Sequence, residues 1–170
     1  MIREKFFMFI LKCKRKYFTY RVKKYSKECG ENLTVNYSTI VTPNTKIGHH
    51  CNFNGMLIKG TGEVTIGNYF HSGRGCWLIS SYHDYDHDDA IPYGRNNVIT
   101  KTTIDDFVWL GDHVTIIGGC HIGEGAVIQA GSVVVHDIPP YAVAGGHPCE
   151  VFKYRDIDHF LKLKSEGKFF

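Results

Sequence analysis

Large aliphatic residues recur at every sixth position over residues 104–138. This inner series consists of Ile104, Leu110, Ile116, Ile122, Ile128 and Val134. A second series of small or medium-sized residues follows four positions later: Val108, Val114, Cys120, Ala126 and Ser132. Because side chains alternate between the two faces of a strand, a period of six returns one aliphatic residue to the same face in every unit. Neither an amphipathic helix nor an ordinary sandwich gives this period. It predicts a parallel β-helix, in which three flat sides form a coil of about 18 residues.

The same period is present upstream. The aliphatic series continues at Val35, Val41, Ile47 and Phe53, and the second series at Thr39, Thr45, Cys51 and Leu57. Ile66, Ser72 and Leu78 follow after one residue more than two units, and we expect a bulge at Gly60 and Gly62 to accommodate that residue. The chain from Leu78 to Ile104 is too long for continuous coil. We therefore predict an inserted loop at about residues 82–101, and long loops on rigid scaffolds often carry function.

Charge is distributed unevenly around a net value of +3. Residues 1–27 hold ten Lys and Arg against Glu4 alone, a net +9, and the remaining chain has a net −6. Apolar residues of this segment recur at helical spacing, in a stripe made of Ile2, Phe6, Phe9, Cys13, Tyr17 and Tyr20. We predict a basic amphipathic N-terminal helix within residues 1–30. It either lies against the coil with its charges solvated or contacts an anionic membrane face or polyanionic acceptor.

The remaining composition narrows the class of protein. The apolar run FFMFIL is too short to span a membrane or to form a signal-peptide core. The six cysteines include no CxxC pair, and Cys51 and Cys120 belong to the second series of small residues. We therefore expect reduced thiols in a cytoplasmic protein. No motif supports nucleic-acid binding. We predict one β-helix domain at residues 31–152 and a short closing helix within residues 153–170.

Three segments carry a family resemblance: IDDFVWLG from Ile104, IGEGAVIQAGS from Ile122 and DIPPYAVAGGHP from Asp137. Together with the repeat, they resemble the hexapeptide-repeat acyltransferases over roughly residues 32–155. The resemblance is to the branch that acetylates sugars, including maltose and galactoside acetyltransferases and O-acetyltransferases of bacterial surface polysaccharides. It implies an all-β, left-handed parallel β-helix, acetyl-CoA as acyl donor, and a homotrimer with three active sites at subunit boundaries. The γ-type carbonic anhydrases share the repeat and bind zinc, but they lack the VWLG and DIPP arrangement.

The inserted loop carries the candidate catalytic residue. Acetyl transfer from a thioester needs a base near neutral pH, and histidine is suited to that task. His83 matches the position of the family's catalytic histidine, His87 is the rival base, and either Asp84 or Asp86 could orient the imidazole. Residues 83–89 contain two His and four Asp, which could bind a divalent cation. We expect no metal, because crowding in sequence is poor evidence of convergence in space.

The resemblance also implies binding residues. Trp109 is a candidate wall of the cofactor slot, or packs between subunits, and Asp112 and Ala130 match backbone contacts to the pantetheine arm. Lys153 matches a basic residue near the nucleotide phosphates. Arg155 could replace an arginine that relatives have where this chain has Glu150.

Two residues are candidates for acceptor binding. Asn52, in CNFN, matches an acceptor contact in the resembling enzymes, and Asp84 lies beside the proposed base. We predict a cytoplasmic, acetyl-CoA-dependent O-acetyltransferase of a saccharide in surface-polysaccharide synthesis, with peripheral membrane contact through the N-terminal helix as an open question. One alternative is an N-acetyltransferase of a nucleotide-linked amino sugar. The other is a non-catalytic β-helix that binds glycan or scaffolds an assembly.

Overall fold

The computed structural model describes residues 2–170, and for Ile2 the backbone alone. Short strands stack into three flat faces, which we call A, B and C. Face A contains β1 (Glu28–Cys29), β3 (Thr45–Ile47), β6 (Glu63–Ile66), β11 (Lys101–Ile104) and β14 (His121–Ile122). Face B contains β2 (Thr34–Tyr37), β4 (Asn52–Asn54), β7 (His71–Ser72), β12 (Trp109–Leu110), β15 (Val127–Ile128), β17 (Ala142–Gly145) and β18 (Glu150–Tyr154). Face C contains β5 (Met56–Lys59), β8 (Cys76–Ile79), β13 (Thr115–Ile117) and β16 (Val133–Val134).

The strands within each face pair in parallel, except that β18 runs antiparallel to β17. Residues one coil apart are register partners, as for Trp109 with Val127 and Thr115 with Val133. This spacing confirms the predicted parallel β-helix. The chain visits face A, then B, then C in each coil, so corners A–B, B–C and C–A recur along the axis.

Both predicted series fill the interior. The large aliphatic residues from Ile104 to Val134 are at most 1% exposed, and Val108, Val114, Cys120, Ala126 and Ser132 are also buried. Burial raises the pKa of the Cys51 thiol to about 12 and that of Cys120 to about 11, so both stay protonated at neutral pH. These thiols therefore serve as small packing groups.

One part of the upstream register was predicted wrongly. Leu57 was placed in the second series, whose members were expected to point inward, but Met56 and Ile58 are buried and Leu57 faces outward. The coil is one residue short where Gly55 turns with φ of +101°, and it is longer around Gly60, which has φ of +102°. Glycine adopts such angles without steric cost, so the chain loses and regains register within one coil. The spacing of the repeat showed the extra residue. It could not show that the coil is first shortened at Gly55 and then lengthened around Gly60.

The inserted loop leaves the coil at corner C–A. Its strands β9 (Ser81–His83) and β10 (Asn97–Ile99) pair antiparallel. The Thr100 backbone N–H and hydroxyl both donate to the Ser80 carbonyl oxygen, at 3.1 and 2.9 Å. A Cβ at Gly118, one coil away, would collide with Thr100. These contacts fix the base of the loop on the coil.

The N-terminal helix α1 spans Ile2–Tyr25. It packs on the first coil through its C-terminal part: Val22 is 1% exposed, Phe18 is half-buried, and the Thr19 hydroxyl accepts a 3.1 Å hydrogen bond from the Val35 amide. The predicted apolar stripe does not face the coil, because Phe6 and Phe9 are 64% and 62% exposed. The helix thus lies against the coil through its C-terminal part, on the side away from the stripe. No helix among residues 2–170 is long and apolar enough to cross a membrane.

The C-terminal helix α2 spans Ile157–Ser165, and Asp156 caps it by accepting a hydrogen bond from the His159 amide. Its buried residue, Phe160, packs against Phe107 and Tyr141 on corner A–B. We expected this helix to cover unpaired strand edges at the end of the coil. Instead β18 pairs with β17 at the end of face B, and Lys153, placed at the start of the helical tail, lies in that strand.

Candidate functional site

An outward-facing row of side chains runs along face B, parallel to the axis of the coil. Its members are consecutive register partners: Thr34, Asn52, His71, Trp109, Val127, Val143 and Lys153. Neighbouring strands lie about 4.8 Å apart, so Asn52 and Lys153 are separated by about 24 Å. Three residues predicted from sequence therefore share one face: Asn52, Trp109 and Lys153.

A groove covers the part of this row from Thr34 to Val127. One part has a volume of about 510 Å³ and includes Trp109 and Arg155 in its lining, and the adjoining part of about 440 Å³ includes Asn52. Both parts share Tyr69, His71, Phe169 and Phe170, which makes them one continuous groove. The side wall is formed by Phe160, Leu163, Lys164, Lys168 and Phe169. The groove is thus long, aromatic and basic along one edge.

Corner A–B stacks aromatic rings beside the groove. The His50 and Tyr69 rings lie 4.7 Å apart and nearly parallel, and those of Tyr69 and Phe107 lie 5.0 Å apart. All three residues have positive φ, near 55–60°, a left-handed conformation that turns the chain at each corner. Phe169 packs against both Tyr69 and Phe107. This stack holds the C-terminal segment on the groove's edge.

His71 lies between Asn52 and Trp109, and the sequence analysis did not select it. Burial lowers the pKa of this imidazole, while a hydrogen bond to the Phe170 backbone opposes that shift. Tracing the register of the coil from Asn52 to the next face-B strand would have found it. A lowered pKa keeps His71 neutral at physiological pH, so it presents a polar but uncharged group in the groove.

The two basic candidates differ in their surroundings. Lys153 is exposed on the last strand of face B. Arg155 donates from Nη1 to the Gly125 carbonyl oxygen at 3.1 Å and stacks over the Phe160 ring at 4.8 Å. Burial lowers the pKa of Arg155. Arg155 therefore joins α2 to the coil, and Lys153 presents the freer charge.

Asp112 and Ala130 lie together at corner B–C, at the edge of face B opposite the aromatic corner A–B. A Cβ at Gly111 would come within 2.5 Å of the Ala130 amide nitrogen, which shows how closely the two coils stack there. The Asp112 carboxylate accepts a 2.7 Å hydrogen bond from the Arg74 amide. The main-chain carbonyl oxygen of Asp112 accepts another from the Gly131 amide at 2.8 Å. Both the carboxylate and the main-chain carbonyl of Asp112 therefore form hydrogen bonds within the coil.

Asn52 belongs to an amide network at the other end of the groove. Asn36 donates from Nδ2 to Asn52 Oδ1 at 3.1 Å and to Asn54 Oδ1 at 2.8 Å, and Asn54 donates to the Ser72 carbonyl at 2.8 Å. These bonds orient the half-buried Asn52 side chain. It is positioned as a polar contact in an otherwise aromatic groove.

His83 ends strand β9 and is exposed. Its ring stacks face to face on Tyr93, with centroids 3.9 Å apart and an angle of 3° between planes. Asp84 does not face this ring. Its carboxylate accepts from the His87 backbone amide at 2.9 Å and contacts His87 Nδ1 at 3.3 Å, and these bonds, led by the amide, lower the pKa of Asp84. His83 is therefore oriented by an aromatic ring, and His87 by the carboxylate.

Within one chain, His83 and the groove on face B lie on different sides of the coil. The inserted loop leaves at corner C–A, while Asp112 and Ala130 lie at corner B–C. The roughly six residues of face C between these corners span about 20 Å of extended chain.

Across residues 2–170 there is no group of three or more His, Cys, Asp or Glu side chains placed to hold a metal ion.

Comparison with known proteins identifies the family. Residues 101–136 match the family model described as bacterial transferase hexapeptide (six repeats). A galactoside O-acetyltransferase of Lactococcus lactis subsp. lactis (strain IL1403) is 33% identical over 152 residues, covering 86% of this chain and 72% of the relative. The chain belongs to the hexapeptide-repeat acetyltransferase family. The predicted family, fold and class of enzyme are thereby confirmed.

Solved structures of this family agree with that assignment. A galactoside acetyltransferase in complex with coenzyme A is 30% identical, with a TM-score of 0.63 and coverage of 81% of this chain and 70% of the other. A hexapeptide-repeat acetyltransferase from Vibrio cholerae is 26% identical, with a TM-score of 0.67 and coverage of 78% and 76%. The shared part is the coil of this acetyltransferase, on which its groove is built.

Proposed function

We propose that this acetyltransferase transfers the acetyl group of acetyl-CoA to a hydroxyl of a saccharide, with His83 as general base. The observations that support this proposal are the long groove on face B and the exposed imidazole of His83, which ends a strand of the inserted loop. The relatives named as galactoside acetyltransferases, one of them bound to coenzyme A, indicate the class of donor and acceptor.

The proposed reaction needs no covalent enzyme intermediate. The unprotonated nitrogen of His83 takes the proton of the acceptor hydroxyl as its oxygen forms a bond to the thioester carbon. A backbone N–H beside the donor stabilises the oxyanion. The C–S bond then breaks, and the coenzyme A thiolate takes the proton from the imidazolium, which restores the base. The buried thiols Cys51 and Cys120, with pKa values of about 12 and 11, are unsuited to act as nucleophiles.

The donor would lie in the groove on face B. The main chain at Asp112 and Ala130 would contact the pantetheine arm, with Trp109 as the adjacent wall, since this indole is 56% exposed. Lys153 supplies a positive charge for the nucleotide phosphates. Arg155 contributes by fixing α2 as the groove's side wall. At the other end, Asn52 would contact the acceptor, and Asp84 would act there through the loop that it stabilises.

Assembly of three chains would complete each site. Face C separates the inserted loop from the groove within one chain. Its outer surface is mostly apolar: Leu57, Trp77, Ile79, Ile117 and Val133 face outward there, together with Lys59 and Thr115. Trp77 is 43% exposed, and so large an apolar side chain on the surface indicates contact with another chain. Contact between chains through this surface would bring His83 of one chain towards the groove of the next.

We propose a cytoplasmic enzyme of surface-polysaccharide modification. The six cysteines carry no disulfide in the described chain, as is usual for cytoplasmic proteins. A cytoplasmic enzyme has access to acetyl-CoA and to the intermediates of glycan synthesis. The acceptor would then be a sugar, a nucleotide sugar or a lipid-linked glycan.

The reaction is tested by screening thiol release from acetyl-CoA against sugars, nucleotide sugars and short polysaccharides. We expect release with a saccharide and a product whose acetyl group is removed by mild alkali, as an ester is. An alkali-stable product would be an amide and would favour N-acetylation. Absence of release with every acceptor would count against the proposal.

Sharing of the site between chains is tested by mixing two inactive variants. His83→Ala lacks the base, and Ala130→Trp fills the pantetheine contact while keeping His83. If each site takes His83 from one chain and the groove from another, random cyclic trimers of the mixture should recover about a quarter of wild-type activity. No recovery after verified subunit exchange would place both elements in one chain.

A further inference from the structure

Helix α1 has an apolar surface that the coil does not cover. A helix has 3.6 residues per turn, so Phe6, Phe9, Tyr17 and Tyr20 lie on the side opposite Val22, which packs on the coil. These four rings are 56–64% exposed. Exposed large apolar side chains in a continuous stripe indicate a partner outside the chain.

Basic residues border this surface along both edges. Lys5, Lys12 and Lys16 lie along one edge, and Lys14 and Arg21 along the other. Residues 1–27 carry a net charge of +9, whereas the remaining chain carries −6. The positive charge is thus concentrated on the same element as the exposed apolar stripe.

The first turns extend the apolar surface around the helix. Phe7, Met8 and Leu11 are exposed on the other side, at 60%, 52% and 37%. Apolar side chains on both sides of the helix are suited to an N-terminal end that enters the acyl-chain region of a membrane. The basic residues from Lys12 onward would then remain at the level of charged headgroups.

We infer that α1 is a docking element for the surface of an anionic membrane. Its apolar stripe would insert at the boundary between headgroups and acyl chains, and its lysines and arginines would contact acidic lipid headgroups. A second copy of the same helix fits less well, because two helices of charge +9 repel one another. This inference stands independently of the acetyl-transfer reaction.

Vesicle co-sedimentation of the full-length protein tests it. We expect binding to phosphatidylcholine vesicles that contain about 30 mol% phosphatidylserine, at least about ten-fold weaker binding to phosphatidylcholine alone, and weaker binding as salt is raised. Phe6→Ser with Phe9→Ser should reduce binding at least about ten-fold. Lys12→Glu with Lys16→Glu should do the same.

A matched pair, Lys101→Glu with Lys162→Glu, changes the net charge equally at exposed sites outside α1 and should leave binding unchanged. Sedimentation velocity and acetyl transfer to a soluble acceptor report on assembly and folding of each variant. Equal binding to neutral and anionic vesicles, or unchanged binding of the Phe6/Phe9 variant, would overturn the inference. No vesicle binding by the wild type, with a smaller particle for the Phe6/Phe9 variant, would make the stripe a subunit contact instead.

Discussion

The coil and the inserted loop are stabilised by different interactions. In the coil from Ile104 to Val134, every unit repeats the same buried aliphatic contact, so Ile116 and its counterparts are almost fully excluded from water. In the loop, Tyr85, Ile91 and Tyr93 are exposed, and carboxylates hold the chain by accepting backbone hydrogen bonds. The coil is uniform and rigid, while the loop is held by a few polar contacts. The proposed catalytic base lies in the less strongly held region, as is common for functional loops.

The sharpest separation of the two regions is expected from His83→Ala. Loss of a general base should lower kcat about 100- to 10,000-fold, while the free energy of unfolding falls by at most about 1.5 kcal/mol, because the exposed ring loses only its stacking on Tyr93. Steady-state thiol release and chemical denaturation measure the two quantities. His87→Ala is the matched control and should keep most activity. The reverse result would make His87 the base.

An isoleucine in each region provides the stability comparison. Ile116→Ala should lower the free energy of unfolding by about 2–5 kcal/mol, because it leaves a cavity in the interior of the coil. Ile99→Ala removes the same atoms from a side chain that is 65% exposed in the loop, and should cost about 0.5 kcal/mol or less. Denaturant titration measures both. Equal costs would show that the loop is as tightly packed as the coil.

A smaller effect is expected at Tyr93, which stacks on His83. Tyr93→Ala should lower kcat by up to about ten-fold without changing the KM for acetyl-CoA, since a stacked pair contributes about 0.5–1.5 kcal/mol. Its pH–rate profile should shift, because the environment of the base changes. Tyr93→Phe keeps the ring and should behave as the wild type. A similar loss in both variants would assign the effect to the tyrosine hydroxyl.

The smallest effect is expected from lowering the pH, which weakens the hydrogen bonds that Asp88 accepts in the loop. Hydrogen bonds from the Asn96 and Asp89 backbone amides lower the pKa of Asp88 below its ordinary value of 3.8. The charged form is therefore favoured in the folded loop, and its contribution is present above pH 3.8 and lost as pH falls through the lowered pKa. The protection factors of the loop amides, measured against the intrinsic exchange rates at each pH, should fall in that range, while the Ile116 amide stays protected. Asp88→Asn should show the faster loop exchange already at neutral pH.

Much of the coil could be predicted from sequence. The inner series from Ile104 to Val134 is buried as predicted, because a period of six places one residue per unit on the same face. The bounds of the inserted loop were also close to those observed. The local register around Gly55 and Gly60 was not predictable, since a deletion and an insertion offset each other within one coil.

The candidate site was less predictable. Asn52, Trp109 and Lys153 were selected by resemblance, but their common face and the presence of His71 between them depend on the register of six strands. The stacking of Tyr93 on His83 joins residues ten apart in an irregular loop, for which no periodic signal exists. The assignment of Asp84 to His87 likewise required the loop's own hydrogen bonds.

The sequence by itself determined the coil, because the burial of one aliphatic residue in each hexapeptide is a local and repeated requirement. It also determined that a long segment must leave the coil and that α1 carries the positive charge. Tertiary structure alone decided which side of α1 faces the coil and which residues line the groove on face B. It also decided that His83 lies one face away from that groove. These features depend on contacts between distant parts of the chain, where a single residue of register changes which side chain faces outward.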